Sequence, residues 1–270
     1  MTSDISDHLN AWPYDEKNNT ILIPGNDGKK KIQIRGSTGI QQMEIDERPD
    51  GKRPFGKDSL LEHYIDELKD YTKEKITDEG FILDSDACSR LRDECGMMVA
   101  RYSAFFKLRD YPRAIRDTEH CIKLMDFVYK YAKGNNDKIY YEEFRPAFIR
   151  ANMDAKILLE IERENFSKAI EYAKKAIKKI HSLPVFYIKI STENIEYPIP
   201  DKFPDSDFVC RVFDAITYFN NRLEEIDNII KLKDPKLAEL SMQLKNAVAG
   251  EDYETAAKLR DKINAMKEDV

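Results

Sequence analysis

Apolar positions along this 270-residue chain follow two different periods. Near the start they have the period of strands. Thr20-Ile21-Leu22-Ile23 is a short apolar run, Pro24-Gly25-Asn26-Asp27-Gly28 is a turn whose strongest pair is Asp-Gly, and Lys31-Ile32-Gln33-Ile34-Arg35 alternates. This predicts a β-hairpin. Residues 37–46 suit either a helical turn capped by Ser37 or Thr38 or a third strand, and the strand is the expectation. Arg48-Pro49-Asp50-Gly51-Lys52-Arg53-Pro54-Phe55-Gly56 holds two prolines and two glycines, which predicts a loop.

Beyond the loop the period becomes helical. Leu60, Leu61, Tyr64, Ile65, Leu68 and Tyr71 mark a helix capped by Asp58 or Ser59. Leu91, Cys95, Met98, Val99, Tyr102, Phe105 and Phe106 mark a second, over about 87–108. Pro112 suits the first turn of a third, where its missing amide hydrogen costs nothing. A fourth is expected over about 144–163, after a loop at Gly134-Asn135-Asn136-Asp137. Pro184, Pro198, Pro200 and Pro204 then rule out a continuous helix, and Val185 to Ile190 reads as a strand or an extended docking segment. Phe208, Val212, Phe213, Ile216, Phe219, Leu223, Ile226 and Ile230 share one face of a long helix that ends before Pro235.

The last stretch forms two stripes. Leu237, Leu240, Leu244 and Val248 lie on one helical face; Ala256, Leu259, Ile263 and Met266 lie on another. Gly250 is expected in the left-handed conformation that ends the first helix, and Asp252 caps the second. The product is an antiparallel hairpin over about 235–249 and 252–266. Two helices cannot enclose these stripes. The hairpin is therefore expected to dock on the rest of the chain, on a copy of itself, or on another protein.

Leu240, Leu244, Ala247-Val248, Glu251-Asp252-Tyr253-Glu254, Ala256-Ala257, Leu259-Arg260-Asp261 and Ile263 resemble the UVR motif. That is the hairpin at the end of the excision-repair subunit UvrB, also found in UvrC, in Clp-type ATPases and in the activator of protein arginine kinase. The resemblance implies a protein-contact element. Its candidate contact residues are Leu240, Leu244, Val248, Tyr253, Ala256, Ala257, Leu259, Arg260 and Ile263. The run from Gln42 to Gly56 is similar to the start of a group of uncharacterised bacterial proteins with a C-terminal UVR motif, which carries no activity over. Arg109-Asp110-Tyr111-Pro112-Arg113-Ala114-Ile115 recurs as Asn165-Phe166-Ser167-Lys168-Ala169-Ile170. Each resembles the second helix of a tetratricopeptide repeat, although the spacing is longer and the usual first-helix residues are not cleanly present.

Composition narrows the function. The formal net charge is −6, so the whole chain is not a general nucleic-acid binder. The N-terminus lacks an apolar core after a basic start, no apolar run is long enough to cross a membrane, and the four cysteines show no paired spacing. A cytoplasmic location is expected. The histidines are scattered, and no Cys-x-x-Cys, His-x-x-x-His or Walker pattern is present. Neither an enzyme activity nor a cofactor or metal is expected.

Arg48, Lys52, Arg53 and Lys57 form a candidate basic loop, read first as a structural loop and second as a site for an acidic peptide or phosphate. Phe55 is expected to be buried as its anchor. Arg48 or Arg53 is expected to pair with a carboxylate, Asp46 and Glu62 being nearest in sequence. Lys29 to Lys31 at the hairpin turn read as solvated, edge-protecting lysines. Lys168, Lys174, Lys175, Lys178, Lys179 and His181 read as the solvated side of one helix, with an acidic partner as the alternative.

The sequence thus predicts a mainly α protein in four segments. These are a β-hairpin and loop (1–57), tetratricopeptide-like helical hairpins (58–183), a proline-rich linker (184–207), and a long helix with a UVR-like hairpin (208–270, the hairpin at 235–268). The expected function is a non-enzymatic adaptor that contacts another protein, or itself, through the hairpin. An accessory factor in nucleic-acid transactions such as excision repair is second, and an enzyme of unrecognised type third.

Overall fold

The computed structural model describes residues 4–183, 206–233 and 235–268. The chain divides into two compact units, 1–148 and 149–270. The division falls inside one long helix.

The first unit opens with a short helix that the hydrophobic pattern did not reveal, α1 (Ser6–Ala11). Strands β1 (Thr20–Pro24), β2 (Lys30–Arg35) and β3 (Ile40–Glu44) follow in an antiparallel sheet of order β1-β2-β3. Thr20 lies opposite Ile34, and Ile32 opposite Met43. Ile32 and Met43 are buried. Residues 40–44 are thus the strand expected. Because β2 is central, Lys31 guards no edge, contrary to the sequence expectation. It is buried, and its ammonium pairs with Asp27 at 2.7 Å and with Glu44.

Helices α2 (Leu60–Lys75), α3 (Ser85–Lys107), α4 (Tyr111–Tyr131) and the start of α5 (Asn135–Glu162) complete this unit. The Ser59 hydroxyl caps α2 by accepting from the Glu62 amide at 3.0 Å. Leu60, Leu61 and Tyr64 from α2 join Leu91, Cys95 and Met98 from α3, and Leu124, Met125 and Val128 from α4, in one core. Helix α5 begins at Asn135, well before the expected position, because its first turns find partners. Asp137 accepts from the Ser85 hydroxyl at 3.0 Å, and the Tyr141 hydroxyl donates to the Cys88 carbonyl at 2.8 Å. The expected loop at 134–137 is therefore largely helix.

In the second unit the rest of α5 is followed by α6 (Phe166–His181), α7 (Ser206–Lys233), α8 (Pro235–Ala249) and α9 (Tyr253–Glu268). Helix α6 packs on α7, α7 on α8 and α8 on α9. Ala169, Ala173 and Ala176 are fully buried and let α6 approach a neighbour closely. Phe208, Phe219, Ile226 and Ile230 supply the bulk on α7. Each such side chain, fully buried, contributes roughly 1.5–3 kcal/mol. The segment Val185 to Ile190 and most of the proline-rich stretch lie outside the described residues. Among the described residues no helix is long and apolar enough to cross a membrane.

Candidate functional site

The basic loop is ordered around buried charge. Glu94 on α3 is fully buried. It accepts from the Leu60 amide at 2.7 Å, from Arg48 Nη1 at 2.7 Å, and lies 3.1 Å from His120 Nε2. Burial alone would raise its pKa; the hydrogen bonds from His120 and the Leu60 amide more than offset that, and the net shift is downward. Arg101, also buried, grips Asp117 at 2.7 and 2.9 Å and donates to the Glu44 carbonyl at 3.0 Å and to that of Glu47. Arg116 donates to Asp117, Asp46 and the Ile45 carbonyl. Hydrogen bonds from Arg113 and Arg116 hold the Asp46 carboxyl below its usual range.

A cavity of about 250 Å³ beside the loop is walled by Arg48, Arg101, Arg116, Asp117 and His120 among others. Its arginines already donate to carboxylates and carbonyls of the chain. This arrangement pins the end of β3 to α3 and α4.

The four cations of the loop do not converge. Arg48 points inward to Glu94, with Asp50 as its second partner at 2.9 Å. Arg53 pairs outward with Asp58 at 2.6 Å, Lys57 pairs with Asp66 at 2.6 Å, and Lys52 is exposed. The expected partners Asp46 and Glu62 are replaced by these. Phe55 is not the buried anchor either. It is 63% exposed, its backbone is left-handed at φ 52°, and its ring stacks on His63 at 3.8 Å. The left-handed turn directs Phe55 away from the core, and Arg48 takes the anchoring role.

Cys88, Cys95 and Cys121 are buried in the apolar core and Cys210 is exposed. Burial pushes the Cys88 thiol up to about 11, so it is a poor nucleophile. Among the described residues no group of three or more His, Cys, Asp or Glu side chains is placed to hold a metal ion.

Among the described residues one turn is built three times. Before α4, Arg109 is left-handed, its amide donates to the Phe106 carbonyl, and the Asp110 amide donates to the Phe105 carbonyl. Before α6, Glu164 is left-handed, its amide donates to Ile161, and the Asn165 amide donates to Glu160. Before α9, Glu251 is left-handed, its amide donates to Val248, and the Asp252 amide donates to Ala247. In each case the Asp or Asn then caps the next helix, accepting from the amide of Arg113 at 3.3 Å, Lys168 at 3.4 Å or Thr255 at 3.1 Å. An aromatic follows each cap, and a buried alanine comes three residues later: Tyr111 and Ala114, Phe166 and Ala169, Tyr253 and Ala256. The left-handed residue of the last turn is Glu251, not the expected Gly250.

The terminal pair keeps some of its predicted contact residues inside. Leu240, Ala256 and Ile263 are buried; Leu244, Ala257 and Leu259 are half-buried. Val248 is 51% exposed, Tyr253 is 69% exposed, and Arg260 is exposed. Met242, which the stripe did not include, is 68% exposed.

The family model described as UvrB/uvrC motif matches residues 236–269. The chain carries a UVR motif there. The match coincides with α8, α9 and the third copy of the turn. No curated protein and no solved structure matches the chain. In the UVR pair the sequence did not single out the exposed Met242 or the left-handed backbone of Glu251. Met242 falls off the apolar stripe, and a glutamate at a left-handed position has no strong sequence signature.

Proposed function

We propose that this chain is a non-enzymatic adaptor whose UVR pair contacts another protein or a second copy of the chain. The observation that carries the reading is the coincidence of the matched UVR motif with a helical pair that leaves Met242, Val248 and Tyr253 exposed. Exposed aromatic and methionine side chains of this kind are enriched at protein interfaces. The buried Leu240, Ala256 and Ile263 hold the pair together, and Val248, Tyr253 and Arg260 present it. The α3–α4 pair and the helices around α6 serve as a tetratricopeptide-like scaffold, on the strength of the repeated turn and its buried aromatic and alanine.

A role beside DNA in excision repair is the second reading, since UVR motifs occur in that setting. Residues 236–270 hold six basic and seven acidic side chains, so the pair offers phosphates no electrostatic footprint. The test compares the intact chain with one ending at Asp234, by sedimentation and by affinity capture. Loss of self-association or of a specific captured protein on truncation supports the adaptor. Identical behaviour of both chains, together with salt-sensitive duplex binding by each, supports the second reading instead.

A further inference from the structure

Helix α6 carries five lysines and one glutamate between Phe166 and His181, a local formal charge of +4 (5 − 1) within a chain of −6. Its inner face is Phe166, Ala169, Ala173, Ala176 and Ile180, all buried. Lys168, Lys174, Lys175, Lys178, Lys179 and His181 are all exposed on the opposite side. Among the described residues, Lys168, Lys174, Lys175 and Lys178 make no ion pair. On other helices several lysines are neutralised along the same face, Lys69 with Asp66, Lys73 with Asp70, Lys231 with Asp227 and Lys258 with Glu254; what sets α6 apart is that its lysines are clustered on one face.

Glu171 is the one carboxylate within reach of Lys168, Lys174 and Lys175 along the helix, and the excess of positive charge works against the helix. Lys174 and Lys178, and likewise Lys175 and Lys179, are four residues apart, and each like-charge pair costs roughly 0.2–0.5 kcal/mol. The helix dipole gives Lys178, Lys179 and His181, in the last turn, a local reason to be there. It gives Lys168, Lys174 and Lys175 none.

We propose that the outward face of α6 docks an acidic segment of a partner protein. Charge complementarity selects the occupant. The face contains lysine and no arginine, so it lacks the fork that grips phosphate at two points. Its one aromatic, Tyr172, is half-buried and offers no open platform for bases. The strip is one helix wide and sixteen residues long, about 24 Å at 1.5 Å per residue. An acidic helix or extended acidic segment with carboxylates about every 6 Å matches it. This surface is separate from the UVR pair and does not depend on the adaptor reading of that pair.

The test is fluorescence anisotropy of a labelled oligoglutamate peptide with the full chain at physiological ionic strength. The wild type binds, and added salt weakens the complex. The triple variant Lys174→Glu, Lys175→Glu, Lys178→Glu binds at least about tenfold more weakly. The control Lys69→Glu, Lys73→Glu, whose lysines are already paired, changes affinity by less than about twofold. If the triple glutamate variant does not fold, the alanine triple at the same positions reports instead, with a loss in the same direction. Absence of peptide binding by the wild type, or a loss in the control equal to that in the triple variant, overturns the proposal. So does tighter, α6-dependent binding of a single-stranded oligonucleotide or of phosphatidylserine vesicles.

Discussion

Phe166 at the start of α6 and Tyr253 at the start of α9 occupy the same place in the same turn, yet one is 2% exposed and the other 69%. Both follow a left-handed glutamate and an Asx cap, and both precede a buried alanine by three residues. The local sequence therefore sets where the aromatic stands, not whether it is covered. Covering depends on what packs above it. Tyr111, in the other unit, is covered like Phe166. Tyr253 keeps a large, rigid, amphipathic side chain in solvent. On a helix whose Ala256 and Ile263 are buried, such a residue fits a contact with something outside the described fold.

Substitutions can break or sharpen this comparison. The largest effect is expected from Phe166→Ala. It removes a buried ring and should cost about 3–5 kcal/mol in urea unfolding. If Tyr253→Ala cost as much, the contrast between the two turns would fail.

Glu94→Gln tests whether the first unit depends on buried charge where the second depends on aromatic and alanine packing. Breaking that network should cost about 3–5 kcal/mol. Its pH dependence has a definite sign. The folded pKa of Glu94 is lowered, so its contribution is present above the ordinary glutamate value and lost as pH falls through the folded value. The acid limb of wild-type stability should be steeper than that of Glu94→Gln, and equal limbs would contradict the assignment.

Asn165→Ala removes the cap shared in form by all three turns and should cost about 1 kcal/mol. A neutral outcome would mean that the turn is held by its backbone bonds alone. The smallest stability effect is expected from Tyr253→Ala, within about 0.5 kcal/mol.

Much of this was legible in the chain. The helical periods of α2, α3, α7 and the UVR pair predicted their helices closely, because each covers most of its stripe, although Phe213 and Val248, expected on those faces, are 65% and 51% exposed; α4 was legible from Pro112 in its first turn. The strand at 40–44 was legible because Met43 can be buried opposite Ile32. What was not legible depended on distant partners. Helix α5 starts early because Asp137 and Tyr141 meet α3. Arg48 found Glu94, far away in sequence, rather than Asp46 or Glu62. Phe55 looked like an anchor by composition, but its left-handed backbone turned it outward. The first two copies of the repeated turn were visible as aromatic, Ala-Ile strings. The third was hidden because Ala256 is followed by Ala257 rather than isoleucine.

The claim that the UVR pair is a contact arm is tested most directly on one full-length double variant, Val248→Asp with Tyr253→Ala. Its sedimentation and affinity capture are compared with those of the wild type, with helicity and melting measured on the same preparations. The account predicts wild-type helicity and melting, with loss of self-association or of the captured partner. Unchanged association and an unchanged set of captured proteins, with the fold intact, would contradict it.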